Sequence, residues 1–280
     1  MTNHVNPNQK SDLAIVLRSV PYQDKHKIIM VISQNYGKFS VIARNSVNSR
    51  RFGGQLDLFT AGLWTWTQKP NQELGFLDSV EIKRSFEGLR TDFDKLALAS
   101  FLAELIIKIS PEHLNQTELF KLYANALAAI EESHSSGATT THEIQWVLAA
   151  FLAKFLQING VQPQIAKCLD CDTMLSSELV TKNLSQPLRF LTHRAGWLCP
   201  NCIVLHDRTP FADEQPLTSF DITALAGITE VPLKELKTLL EFLNQGKPET
   251  LIDLLLKVLF YHIPGADSSQ FKSLGLIQKS

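Results

Sequence analysis

Residues 13–44 read LAIVLRSVPYQDKHKIIMVISQNYGKFSVIAR, and the grouping of apolar residues there decides the fold. The segments 13–20, 28–33 and 38–44 are rich in β-branched residues and bounded by turn formers, with a hairpin turn at 35–37. They predict three consecutive strands. Two more follow at 56–66, after Gly53 and Gly54, and at 74–84, after a turn at 69–72 that contains Pro70. Five short strands so closely spaced predict a small closed barrel.

From Thr91 the apolar period changes from two to about 3.6. Thr91 with Asp94 has the spacing of a capping box, and Phe93, Leu96, Ala97, Phe101, Leu105 and Ile109 form one stripe before Pro111. A second helix carries Leu119, Leu122, Tyr123, Ala126, Leu127 and Ile130 on one face, and a Ser/Thr/Gly connector spans 133–141. Ile144, Val147, Leu148, Phe151, Leu152 and Phe155 mark a third helix, which Asn159 and Gly160 should terminate. Helical patterns return at 221–228, 233–244 and 249–262, the last apolar nearly all round. The expected fold class is therefore α+β, with a barrel domain at 1–86 and a helical bundle at 87–280 interrupted by an insert at 162–206.

The chain has 280 residues, 44% of them apolar and 20% charged, which is enough to build packed cores and excludes both disorder and a disulfide-dependent miniprotein. No apolar run reaches membrane-spanning length, and residues 1–12 are polar with no secretory apolar core, so a cytoplasmic protein with reduced thiols is expected. The net charge of -1 argues against a polyanion partner only until it is resolved by region. Residues 1–85 hold eleven Lys/Arg against six Asp/Glu, while the remainder holds sixteen against twenty-two. A basic head precedes an acidic body.

In the head, Arg18, Lys25, Lys27, Lys38, Arg44, Arg50 and Arg51 form a concentrated positive patch with Lys10, opposed only by Asp12 and Asp24. Tyr22, Tyr36 and Phe52 lie among them as candidate stacking platforms, the combination with which small barrels hold single strands. The bland alternative is ordinary surface charge, with Trp64 and Trp66 in the core.

All four cysteines fall in two C-x2-C pairs, Cys168 with Cys171 and Cys199 with Cys202. Two such knuckles can supply a tetrahedral S4 site for one zinc per chain, with a hairpin at 179–192 bringing them together. Four thiolates leave no open position for water, so the metal would be structural. Unliganded thiols and redox pairs are the alternatives, and His193 and His206 are nearby substitute ligands. Nucleotide-binding loops, dinucleotide fingerprints, zinc-protease and nucleophile-elbow motifs are absent from the sequence, which points to a binding protein.

AIVLRSVPYQDKHKI, the Tyr-Gly-Lys turn, ARNSVNSRRFGG, LRTDFDKLALASFLAEL and the two cysteine pairs, taken in order, resemble the RecO family of bacterial recombination mediators. The resemblance implies an OB-fold barrel, a helical body and a zinc-knuckle insert. It also implies a non-enzymatic DNA repair protein, nucleoid-associated in the cytoplasm, that binds single- and double-stranded DNA and anneals complementary strands. With RecR, such a protein loads RecA on DNA coated by single-strand-binding protein, whose acidic C-terminal tail it binds. Cys168, Cys171, Cys199 and Cys202 carry over as zinc ligands, and Arg44, Arg50 and Arg51 as DNA contacts. Asp172 departs from the glycine that often follows the second cysteine. An RNA-binding barrel and zinc protein of the translation or transcription apparatus is the alternative, with a metal-dependent hydrolase behind it.

Overall fold

The computed structural model describes residues 7–47, 52–70, 72–133, 138–174, 188–205 and 214–277. Two compact units emerge: Met1–Glu131 together with Phe271–Ser280, and Glu132–Gln270. The packing boundary therefore falls between Glu131 and Glu132, whereas the change in sequence period places it at 86/87. The first two helices belong with the barrel, and the bundle expected over 87–280 is not one body.

In the first unit, β1 (Gln9–Tyr22), β2 (His26–Ser33), β3 (Gly37–Ala43), β4 (Ala61–Thr67) and β5 (Gly75–Arg84) close into a barrel of order β1-β2-β3-β5-β4. Only the β3–β5 pairing is parallel, and β4 returns to β1 to remove the last edge. This is the expected OB-type closure. Val16, Ile29, Val31, Phe39, Trp64 and Trp66 fill the interior, which settles the two tryptophans as core residues. The fourth strand starts at Ala61 rather than Leu56. Gly53–Leu56 is a 3-10 turn, and Phe59 at φ 69° breaks the extended backbone while its side chain stays fully buried.

Helix α1 (Phe93–Ile109) is capped by Asp92, whose carboxylate accepts from the amides of Asp94 and Lys95 at 2.9 and 3.1 Å. Thr91, expected in that role, instead donates to the Gly88 carbonyl. Phe93 is exposed, so the buried stripe begins one turn later. Helix α1 packs on β1, and the outward residues Ile15, Leu17 and Ile32 are buried. Its C-terminal turn meets the β2–β3 hairpin: Lys38 donates to the Ile107 carbonyl at 2.5 Å, and the His113 amide donates to the Lys38 carbonyl. Gly37 has φ +65°, and a Cβ there would lie 1.8 Å from the Leu114 carbonyl oxygen, so only glycine allows this approach. Helix α2 is Thr117–Glu132. The C-terminal segment returns to α1, where the Glu104 carboxylate accepts from the amides of Lys272 and Ser273 and from the Ser273 hydroxyl.

In the second unit, α3 (Ala138–Ile158) packs against α4 (Ser219–Glu230) and α5 (Pro248–His262). Gly160, at φ 79°, follows the end of α3 as expected. The 233–244 segment is mostly 3-10 helix, Leu233–Leu239, with a single α turn after it. Helix α5 has a wet side, since Asp253, Lys257 and Tyr261 are exposed. A three-stranded antiparallel sheet of order β7-β6-β8 is made by β6 (Leu188–Leu191), β7 (Gly196–Leu198) and β8 (Glu214–Leu217). The hairpin leading to the second cysteine pair is thus 188–198. Residues 179–187 of the expected 179–192 hairpin region lie outside those described.

Candidate nucleic-acid interface and metal centre

Strand register sorts the basic residues of the head by face. Ile29 and Val31 point into the barrel, so Ile28 and Met30 point out. Opposite them stand Val20 and Arg18 on β1 and Ile42 and Ser40 on β3. The pairing of β1 with β2 shifts between Val16 and Arg18. That bulge adds a residue to β1 and turns Arg18 outward next to Leu17, the re-aiming that bulges commonly provide. Arg18 is exposed.

The same register gathers the other cations. The β1–β2 turn carries Lys25, Lys27 pairs with Ala43, and Arg44 follows directly. The start of β5 lies beside the end of β3 through Val41↔Gly75 and Ile42↔Phe76, and the Arg44 guanidinium stacks 3.6 Å from the Phe76 ring centre. The Asn45 amide donates to His26 Nδ1, and the Val47 amide donates to the Lys25 carbonyl, which ties the loop after β3 to the β1–β2 turn. The result is one three-stranded surface with Ile28, Met30 and Ile42 half-buried at its centre and Arg18 and Arg44 on the same face, while Lys27, which shares the parity of Ile29 and pairs with the core residue Ala43, stands at the barrel rim beside Lys25 in the turn. Among the described residues Arg18, Lys25 and Lys27 have no carboxylate partner.

Two expected contacts are elsewhere. Lys38 is 5% exposed, and burial pushes its pKa below the ordinary lysine value despite the favourable charge of Glu112. Its ammonium closes the C-terminus of α1 and is not available to a phosphate. Phe52 is 2% exposed within the barrel core and cannot stack a base. Arg50 and Arg51 lie outside the described residues. Sequence reading missed Phe76 and His26, which the β3–β5 and β1–β2 pairings bring to this surface.

In the second unit the four cysteine sulfurs all lie within 4.8 Å of one another. The Cys171 and Cys199 sulfurs are 3.6 Å apart, close to the ~3.8 Å edge of a tetrahedron with ~2.3 Å metal–sulfur bonds. The first knuckle closes with the Cys168 amide donating to the Thr173 carbonyl, and the Cys199 amide donates to the Cys168 sulfur at 3.3 Å. Asp172 takes φ 56°, so the position does demand the left-handed backbone that glycine supplies freely. Its carboxylate pairs with Lys167 at 2.5 Å. The Leu169 amide bonds the Trp197 carbonyl, joining the knuckle to β7, and Cys202 sits in the short helix Pro200–Leu205.

Hydrogen bonds from Thr173 bring the Cys171 thiol down to about 6, while burial pushes Cys199 and Cys202 up. A divalent ion would draw off those remaining protons. Four soft ligands at tetrahedral spacing fit a metal ion that holds the insert together, with no coordination position left for substrate. Neither described histidine near the insert belongs to the cluster: His262 faces the Thr192 carbonyl, and His193 is not among the converging groups. His206 lies outside the described residues. No helix among the described residues is long and apolar enough to cross a membrane.

Comparison with known proteins finds two family matches. Residues 8–86 match the family described as "Recombination protein O N terminal", and residues 90–210 match "Recombination protein O C terminal". The chain is similar to the "DNA repair protein RecO" of Syntrophus aciditrophicus, 29% identical over 266 residues and 94% of each chain. The protein of the same description from Symbiobacterium thermophilum is 31% identical over 192 residues, 67% of this chain and 69% of the relative. That from Desulfatibacillum aliphaticivorans is 30% identical, over 68% and 69% respectively. The family boundary after residue 86 coincides with the end of the barrel, not with the packing boundary at Glu131.

Proposed function

The chain belongs to the RecO family of DNA repair proteins, and from that premise we propose that it is a non-enzymatic recombination mediator. The barrel, residues 1–86, binds single- and double-stranded DNA, and the chain anneals complementary strands. With RecR it helps load RecA onto single-stranded DNA coated by single-strand-binding protein, whose C-terminal tail it also engages. The protein acts in the bacterial cytoplasm at the nucleoid, and the Cys168, Cys171, Cys199 and Cys202 site holds one structural zinc.

The observation that carries this reading is the three-stranded face, on which Arg18 and the Phe76-stacked Arg44 flank a half-buried aliphatic centre, with Lys25 and Lys27 at its rim. Phosphates meet Arg18, Lys25, Lys27 and Arg44, with Arg50 and Arg51 as further contacts from the loop. Bases rest on Ile28, Met30 and Ile42, surfaces with no hydrogen-bonding pattern to read. Such a site is indifferent to sequence and leaves Watson–Crick edges free to pair, which is what annealing requires. Strand exchange of this kind needs no covalent chemistry.

The deciding experiment compares annealing of complementary DNA strands coated with single-strand-binding protein against binding to structured RNA. Accelerated annealing that Arg18→Ala with Arg44→Ala reduces is expected. Tight RNA binding without annealing would move the protein to the translation or transcription apparatus.

A further inference from the structure

The four converging sulfurs are not equally protected. Cys168, Cys199 and Cys202 are buried, whereas Cys171 is exposed. The chain turns back at Asp172 and closes with the Cys168 amide on the Thr173 carbonyl, so that Cys171 rides near the apex of a short loop. Its surroundings there are open: Asp172 has an exposed side chain, and Met174 is 61% exposed. Cys168 is shielded twice, by burial and by the Cys199 amide, which donates to its sulfur at 3.3 Å. Across the cluster, the Cys199 sulfur stands 3.6 Å from that of Cys171.

This asymmetry has a chemical consequence. A cysteine bound to a divalent ion is a thiolate at neutral pH, and oxidation by a peroxide follows thiolate character and access. As ligands all four cysteines share the first property, and among them Cys171 has the second. A peroxide must approach the sulfur in line with its own O–O bond, which needs an open side that the three buried sulfurs lack. A neighbouring thiolate then completes the chemistry, and Cys199 is in place for that.

We infer that Cys171 is a site of oxidation by peroxides, with Cys199 as its resolving partner, and that the resulting disulfide makes the insert release its metal. The inference rests on the zinc reading of this site. In the first step the Cys171 sulfur attacks one peroxide oxygen, the O–O bond breaks and hydroxide leaves, giving a sulfenic acid. In the second the Cys199 sulfur attacks the sulfur of Cys171, the S–O bond breaks and a second hydroxide leaves. Two thiolates lose two electrons in all, and the peroxide is reduced to two hydroxides. Cys168 and Cys202 are then the two remaining ligands, half of what a structural zinc site requires. The barrel carries no cysteine, so the response is confined to the insert. A dithiol, oxidised in its turn to a disulfide, returns both cysteines to thiols and lets the metal bind again.

The test uses the whole metal-replete chain and hydrogen peroxide, with released zinc followed by a chromogenic chelator against a control that receives chelator alone. Zinc should leave only with peroxide, and peptide mapping should find Cys171 joined to Cys199. Dimedone added during the reaction should label Cys171 as the sulfenic acid, and a dithiol with zinc should restore the bound metal. Cys171→His leaves a three-cysteine, one-histidine set that still suits zinc, and its metal should leave on the order of tenfold more slowly under peroxide. The map of the native chain decides alone if that variant fails to hold zinc. Zinc retained under peroxide, a dimedone adduct on a buried cysteine, or a disulfide within either C-x2-C pair would overturn the inference while leaving the metal site standing. Zinc well below one per chain before treatment removes the site and the inference together.

Discussion

Arg44 stacks its guanidinium on Phe76 across the one parallel pairing of the barrel, 3.6 Å from the ring centre. The contact orients a charge that otherwise has a long flexible stem, on the surface where phosphates are expected. Arg44→Ala should weaken single-strand binding and flatten the dependence of log affinity on log salt by about 0.7, one phosphate contact. Phe76→Leu should keep the slope and weaken binding only about two- to fivefold, since an exposed cation–π contact contributes roughly 0.5–1 kcal/mol. Fluorescence polarisation across a salt series measures both. An unchanged slope in Arg44→Ala removes Arg44 from the contact set.

Lys38 should behave in the opposite way. Its ammonium satisfies the Ile107 carbonyl in a nearly closed site, and Lys38→Met leaves that oxygen unpartnered at a cost of about 1–3 kcal/mol. Denaturant unfolding should show the loss, while the salt slope of DNA binding stays that of the native chain. A lowered slope with unchanged stability would restore Lys38 to the DNA surface.

Metal removal should act on the insert alone. After chelation, amide protection is expected to fall at Cys168–Thr173 and around Cys199–Ile203, where the knuckle hydrogen bonds depend on the converged sulfurs. The barrel should retain its protection and its salt slope. Elemental analysis of metal-replete protein should give one zinc per chain, and a value well below that would contradict the site.

The C-terminal segment should loosen in acid. Burial of Glu104 opposes its charge, but hydrogen bonds from Ser273, from Lys108 and from the Lys272 amide outweigh that and hold its pKa below the usual 4.5. A carboxylate lowered on folding stabilises fully above its unfolded value, and that stabilisation is lost as pH falls through the folded value. Hydrogen exchange at 271–277, corrected for intrinsic rates, should therefore rise selectively as pH drops below about 4.5. Glu104→Gln should leave the segment loose at neutral pH and remove the acid step. Equal protection at pH 6 and pH 3 would show that other contacts hold the segment.

What was legible in the sequence was whatever depends on local spacing. The β-branched clusters revealed the strands, Asn159 and Gly160 the end of α3, and the paired cysteines their convergence. Faces were harder, because alternation tells inward from outward but not what later covers the outside. Lys38 has the composition of a surface residue and is buried only because the end of α1, some 70 residues on, closes over it. Phe52 looked like a platform beside Arg51 yet enters the core. The bulge that turns Arg18 outward left no trace in residue type. Thr91 and Asp92 are both competent caps, and only the geometry of α1 chose between them. The packing of α1 and α2 with the barrel was invisible because their stripes are equally suited to a bundle.

The return of the C-terminal segment to Glu104 has a consequence in time. The Lys272 amide and the carboxylate it meets are 168 positions apart in the chain. At ribosomal speeds of roughly 5–20 residues per second, this patch of α1 waits on the order of ten to thirty seconds for its cover. During that interval Phe101 lacks the Phe271 ring that later packs 6.0 Å away, and the nascent barrel and its helices present an uncovered apolar strip. The segment that ends the exposure is made only after residues 132–270, the whole of the second unit.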